Sequence, residues 1–169
     1  GAVVMSPTLY RDVRIHSGRL VGGVNSTSEI ALHATRHPER MQLMARARFG
    51  TIIPVRKSAS PEAALERART GKAIAMIEIG DGDWWTALAG DPELTIIDGL
   101  LGEGGRGSAL AVGRLSRDRL CKDRSYAVLE QSELAARLGR GEAVCPIAVS
   151  GDLHLCAIER VVPLARRAA

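Results

Sequence analysis

The stretch from Ile74 to Trp85, which reads Ile-Ala-Met-Ile-Glu-Ile-Gly-Asp-Gly-Asp-Trp-Trp, decides the fold. Its first six residues are mostly apolar and predict a strand that is buried on both faces, as inside a parallel sheet. A Gly-Asp-Gly-Asp turn ends the strand, and both tryptophans of the chain, Trp84 and Trp85, follow directly. Because open α/β sheets bind ligands beyond the carboxyl ends of their strands, the tryptophans are candidate pocket walls. The alternative is that they cap the sheet and pack under a short helix.

Strand and helix patterns alternate on both sides of this stretch. A strand at 30–34 is followed by a helix that starts at His37-Pro38-Glu39 and closes at Phe49-Gly50. A strand at 51–55 contains Pro54, which favours a sheet edge or a strand end. Ser60-Pro61 then provides a helix N-cap and a proline in the first turn. The alternation predicts an α/β fold with an open, mostly parallel sheet and flanking helices. Its neighbouring strands are predicted at 52–55, 74–79 and 94–97.

The second part of the chain repeats the alternation on a smaller scale. A strand at 108–112 precedes a β-α-β group, which comprises strand 125–129, helix 132–138 and strand 144–149. A hairpin return follows this group. Charge rises and apolar periodicity vanishes near 114–123, which indicates a boundary. We therefore expect three parts: an N-terminal segment and linker at 1–28, a first α/β half at 29–113 and a smaller second half at 114–169.

Charge and hydropathy exclude two classes of partner. The chain has 23 Lys+Arg and 19 Asp+Glu, a net charge of +4, and the arginines are mixed with acids along the predicted helices. This balance is typical of a solvated surface, so we expect no nucleic-acid binding. No apolar run approaches the roughly 20 residues that span a bilayer, so we expect no membrane partner.

Cysteines, histidines and glycines give no sign of a metal or cofactor. The three cysteines are an odd number without a close pair, which favours a reducing, cytoplasmic compartment over a disulfide scaffold. The four histidines are dispersed and lack metal-ligand spacing. No phosphate loop is present, and the glycine-rich run at 102–107 precedes a strand instead of joining a strand to a helix. We expect neither a cofactor nor a metal.

Three further residues complete a candidate site. Glu78 is the one acid inside an apolar strand, so it is either a general acid or base, or a strand-end acid bonded to backbone amides. The glycine run is either a mobile loop whose Arg106 meets a carboxylate, or a plain hairpin connection. Ser108 follows the glycine run. We expect the candidate residues to line one cleft at the carboxyl ends of the central strands. Its ligand-binding residues are predicted to be Glu78, Trp84, Trp85, Arg106 and Ser108.

The order of these elements resembles a known family. The residues that carry the resemblance are the strand at 30–34, the helix ending Ala-Arg-Phe49-Gly50, the helix starting Ser60-Pro-Glu-Ala-Ala-Leu and the run Gly82-Asp-Trp-Trp. They resemble the domain that follows the chorismate mutase helices in some bacterial chorismate-mutase-type proteins, itself similar to the prephenate dehydratase fold. The resemblance covers about residues 9–113. It implies a two-lobed, periplasmic-binding-protein-like architecture and a role in aromatic amino acid biosynthesis.

The chain departs from that family where catalysis matters. Prephenate dehydratases carry a Thr-Arg-Phe motif before a strand of the second half, whereas this chain has Arg106-Gly-Ser108-Ala-Leu. We therefore expect a non-catalytic small-molecule-binding or regulatory domain with a small carboxylate as ligand. The alternatives are a divergent prephenate-dehydratase-like lyase using Ser108 and Glu78, and a structural or oligomerisation domain. Partners implied besides the ligand are a second copy of the chain or a fused mutase domain.

Overall fold

The computed structural model describes residues 29–102, 107–114 and 124–159. The N-terminal segment 1–28, the centre of the glycine loop with Arg106, and most of the predicted boundary at 114–123 lie outside the described residues. One sheet contains β1 (Glu29–His33), β2 (Val55–Lys57), β3 (Ala73–Glu78), β4 (Thr95–Leu100) and β5 (Ala109–Gly113). Between its strands lie α1 (Pro38–Phe49), α2 (Pro61–Arg69) and a 3₁₀-helix (Trp84–Leu88). A second sheet contains β6 (Arg124–Glu130), β7 (Val144–Ser150) and β8 (Leu153–Glu159), with α3 (Gln131–Gly139) after β6.

The α/β class is confirmed, and the first sheet is mixed: β1, β2, β3 and β4 run in one direction and β5 runs in the other. The first sheet has the order β2-β1-β3-β5-β4, and only β1 pairs in parallel, with β2 and with β3. β5 is antiparallel to both β3 and β4. A parallel return needs a crossover of about a dozen residues or more, and the connection at 101–108 is too short for one. The chain therefore turns back beside β4, which makes the sheet mixed.

The predicted neighbours share one sheet but do not touch. β1 separates β2 from β3, and β5 separates β3 from β4, so the expectation of direct adjacency is wrong. The edge position suggested by Pro54 is confirmed, because β2 is an edge strand and begins one residue later. The central position of β3 is confirmed as well.

The two faces of β3 pack against different layers, so its prediction as a strand buried on both faces is confirmed. Ile74 and Met76 lie in a core cluster with Met41 of α1. The alternate residues of β3 lie in a second cluster, which contains residues of α2, the 3₁₀-helix and the second sheet. The period of two along a strand explains this division. The second sheet is thereby held against the first by a shared apolar core.

The second sheet contains the strand, helix and strand of the predicted β-α-β group, but the two strands are not neighbours in the sheet. β8 lies between β6 and β7 and is antiparallel to both, so the hairpin return fills the centre of the sheet. α3 covers one face through Leu134, which packs with Val144 and Cys156. How the chain divides into domains stays a prediction. No helix within the described residues has the length and apolarity needed to cross a membrane.

Candidate functional site

A cavity of about 540 Å³ opens at the end of β3. Four places in the fold supply its lining: the β1–α1 connection, the end of β3, both sides of the glycine connection, and β7 of the second sheet. The polar lining residues are Arg36, His37, Glu78 and Ser108, and the apolar ones include Ile79, Leu101 and Ile147. The cavity lies beyond the carboxyl ends of the parallel strands β1 and β3, where α/β sheets bind ligands.

The Glu78 side chain is only 2% exposed, and both of its carboxylate oxygens are in contact with nitrogen atoms of the β1–α1 connection. Oε2 accepts the backbone N–H groups of Arg36 and His37, each at 3.2 Å. Oε1 lies 2.5 Å from His37 Nδ1. Because α1 has no side-chain cap of its own, Glu78 supplies the negative charge that a helix N-terminus favours. The interpretation of Glu78 as a strand-end acid bonded to backbone amides is confirmed.

Asp81 holds the same connection from its other end. It accepts the backbone N–H of Thr35 at 3.0 Å, and the Thr35 hydroxyl donates to it as well. His33 Nε2 lies 3.4 Å from the Asp81 carboxylate, and His33 Nδ1 lies 3.0 Å from the carbonyl oxygen of Ser58. Glu78, the last residue of β3, and Asp81, three residues later, therefore both bind the β1–α1 connection. Their contacts position Arg36 and His37 at the cavity.

Arg36 is the cation of the cavity. Its side chain lies along Gly80, where an added Cβ would sit 3.3 Å from Arg36 Cδ. No carboxylate among the described residues pairs with the Arg36 guanidinium. Arg40 lies one turn further along the chain, and an added Cβ on Gly107 would sit 3.0 Å from its Cδ. Arg36 and Arg40 are both exposed, and of the two only Arg36 belongs to the described lining of the cavity.

Ser108 lines the cavity and lies one residue before β5 begins. Its backbone carbonyl accepts the N–H of Ile79 at 2.8 Å, and its hydroxyl accepts the N–H of Gly102 at 3.3 Å. Ala109, the next residue, is the one that pairs with Glu78.

The two tryptophans are core residues in the structure. Trp84 and Trp85 are 5% and 2% exposed, and both belong to the apolar cluster between the sheets. Trp84 Nε1 donates to the carbonyl oxygen of Glu78 at 3.0 Å. Neither indole lines the cavity. Both tryptophans are packed against the sheet, which agrees with the alternative interpretation that they cap it. Of the five predicted site residues, Glu78 and Ser108 line the cavity, and Arg106 lies outside the described residues.

Sequence reasoning missed Arg36 and His37 as site residues. A signal was present, because α/β sheets bind ligands beyond the carboxyl ends of β1 as well as β3, and Arg36-His37-Pro38 begins three residues after the last residue of β1. His37-Pro38 was interpreted only as a helix start. The contact with Glu78 joins residues 41 positions apart, so local patterns did not contain it.

Within the described residues, no group of three His, Cys, Asp or Glu side chains is placed to hold a metal ion. Comparison of the chain with protein-family models, curated proteins and solved structures gives no match. The geometry of the cavity is therefore the basis for a functional proposal.

Proposed function

We propose that the chain is a non-catalytic small-molecule-binding or regulatory domain whose cavity takes a small carboxylate. The observation that carries this proposal is Arg36, a guanidinium at a cavity with no carboxylate partner among the described residues. Arginine suits this role because its planar fork matches a carboxylate with two parallel hydrogen bonds. Glu78 does not compete for Arg36, since its oxygens already accept N–H groups and face His37.

The other lining residues suit the body of such a ligand. Ile79, Leu101 and Ile147 offer an apolar wall formed by both sheets, and ligand cavities typically combine such walls with a few polar groups. An aromatic or cyclic carboxylate fits this combination. The resemblance to prephenate-dehydratase-like, periplasmic-binding-protein-like domains supports phenylalanine, prephenate and chorismate as the first ligands to test. A link to aromatic amino acid biosynthesis and a cytoplasmic location belong to the same proposal.

Binding is favoured over the alternative of a divergent lyase. That alternative needs Ser108 and Glu78 to act together on one substrate, whereas the Ser108 hydroxyl accepts the N–H of Gly102 and Glu78 accepts N–H groups of the β1–α1 connection. A general acid or base must also reach the proton that it transfers, and Glu78 is 2% exposed and engaged by two backbone N–H groups. These contacts suit a residue that holds the site together.

The test is calorimetric titration with phenylalanine, prephenate and chorismate, supported by tryptophan fluorescence. At least one of them should bind, and Arg36→Gln should weaken that binding about tenfold or more, because a charge-assisted hydrogen bond contributes about 1.5–3 kcal/mol. Arg46→Gln is the matched control: Arg46 is exposed on α1 and lies outside the cavity lining, and the change in charge is the same.

Two outcomes contradict the proposal. Formation of phenylpyruvate from prephenate that is abolished by Ser108→Ala indicates the lyase. No response to any carboxylate indicates the structural or oligomerisation domain, in which case self-association or association with a mutase domain becomes the property to measure.

A further inference from the structure

The two ring nitrogens of His37 have different surroundings. Nδ1 lies 2.5 Å from Glu78 Oε1, and the other oxygen of Glu78 accepts two backbone N–H groups. An ionised carboxylate only accepts hydrogen bonds, so Nδ1 is the nitrogen that carries the proton in this contact. In the neutral imidazole the remaining nitrogen, Nε2, is then an acceptor.

The contact with Glu78 also fixes the ring. The Glu78 side chain is 2% exposed and its backbone lies in the central strand, while the His37 side chain is 39% exposed at the cavity. No partner of Nε2 is found among the described residues. Among the described lining residues, Arg36 therefore offers a guanidinium group and His37, when neutral, an acceptor nitrogen, from consecutive residues of the same connection.

We infer that the cavity selects hydroxy acids: the carboxylate of the ligand pairs with Arg36, and its hydroxyl donates to His37 Nε2. This inference rests on the proposed function and adds the group that sets specificity. Among the other polar side chains of the described lining, Ser108 accepts the N–H of Gly102 and the Glu78 carboxylate accepts three N–H groups. The inference assigns to His37 the distinction between a ligand with a hydroxyl and one without.

Discrimination of this kind is strong in principle. A site built to bond a hydroxyl leaves a polar group unpaired when the analogue lacks it, whereas an apolar wall scarcely distinguishes the two ligands. His37 is partly exposed, so water recovers part of the loss. We expect a preference of roughly threefold to tenfold for the hydroxy acid.

The experiment compares phenyllactate with phenylpropionate, which differ only in the hydroxyl, by calorimetry in mildly alkaline buffer. Phenyllactate should bind more tightly. His37→Phe keeps a ring but removes Nε2, so the preference for phenyllactate over phenylpropionate should disappear. Arg36→Gln is the control, because it should weaken both acids by the same factor and preserve their ratio.

The comparison of the two acids on the original chain does not depend on the folding of the His37 variant. Equal affinities there would by themselves contradict a role of His37 in binding the hydroxyl.

The outcomes separate the two proposals. Equal affinity of both acids in alkaline buffer, with binding that still depends on Arg36, overturns the hydroxy-acid inference and leaves the proposed function standing. Binding of neither phenyllactate, phenylpropionate nor any of the three carboxylates above overturns both. A preference that survives His37→Phe assigns the hydroxyl to another residue and overturns the role of His37.

Discussion

Glu78 illustrates what one side chain contributes to this fold. An isolated ionised carboxylate is costly to bury, yet Glu78 lies in the central strand because two backbone N–H groups and one imidazole surround it. The same contacts replace the missing cap of α1. Its position in an apolar strand was visible in the sequence, and so was the possibility of amide partners. Which amides it binds depends on the packing of α1 against the sheet.

Asp91 is a second acid whose partners determine its protonation. Burial by itself would raise the pKa of the Asp91 carboxyl, but donors outweigh that effect and hold the pKa below its usual range. The donors are the Arg69 guanidinium at 2.7 Å and the backbone N–H groups of Glu93 and Leu94 at 2.9 and 3.0 Å. Asp91 thereby connects the end of α2 with the start of β4.

We predict that Asp91→Asn lowers the free energy of unfolding by roughly 1–3 kcal/mol at neutral pH, because it breaks charge-assisted hydrogen bonds. The folded-state pKa of Asp91 is depressed, so its contribution is present above the unfolded-state pKa of about 3.9 and is lost as pH falls through the folded-state value. Urea unfolding at neutral and strongly acidic pH should show the difference between variant and parent shrinking with acid. Glu93→Gln is the control, and a pH-independent difference would contradict the prediction.

The helix α2 shows how far local signals determine an element. Ser60 Oγ accepts the N–H of Ala63 at 3.0 Å and Pro61 occupies the first turn, both as the sequence predicts. The buried residues Ala64 and Leu65 lie four and three positions before the buried Ala68, so all three face the sheet. Every signal lies within a few residues of the element that it specifies, and therefore this helix was predictable.

We predict that Ser60→Ala lowers the free energy of unfolding by about 1 kcal/mol, the usual contribution of an N-cap. Ser60→Asp should stay close to the parent chain, since aspartate also caps and its charge is favourable at a helix N-terminus. Urea denaturation of the three chains measures both effects. Equal stability of the alanine variant and the parent would show that the cap contributes nothing here.

The strand β2 shows where local signals fail. The apolar run at 51–55 predicted a strand there, but β2 begins at Val55 and Ile52 is 91% exposed. Two backbone bonds to β1 set the register: Ile30 N–H donates to the Pro54 carbonyl, and Ser58 N–H donates to the Leu32 carbonyl. Pairing with β1 therefore selected a segment further along the chain, a choice that depends on the partner strand.

The two sheets meet where Gly99 of β4 lies against Tyr126 of β6. An added Cβ on Gly99 would lie 2.6 Å from Tyr126 Cε1 and from its hydroxyl oxygen, closer than real contacts permit. The Tyr126 hydroxyl also lies 3.5 Å from the Gly99 carbonyl oxygen. The cavity is lined by Leu101 of the β4–β5 connection and Ile147 of β7. Its shape therefore depends on how closely the sheets approach at Gly99.

We predict that Gly99→Ala lowers the free energy of unfolding by roughly 1–3 kcal/mol, because overpacking forces the sheets to shift. The same change should weaken carboxylate binding, since both sheets line the cavity. Gly139→Ala is the matched control, because an added Cβ there meets no atom within 4 Å.

Thermal or urea unfolding and the calorimetric titration measure the two effects. In a Tyr126→Ala background the cost of Gly99→Ala should fall, as expected for residues in direct contact. The same cost in both backgrounds would show that the two residues are not coupled.

The sequence by itself determined the α/β class, the central buried strand β3, the capped start of α2 and the edge position after Pro54. These features depend on patterns within about ten neighbouring residues, and each element carries its own pattern. The prediction of Glu78 and Ser108 as residues at the end of the central strands rested on the same local reasoning.

Only the tertiary structure decided the strand directions, the burial of both tryptophans and the meeting of Arg36 and His37 with Glu78. Strand direction depended on whether the glycine connection held a crossover, and the tryptophans were buried because the second sheet covers them. The site depended on hydrogen bonds between residues more than 40 positions apart. Such contacts form when separate elements pack together, and no single stretch of sequence specifies both partners.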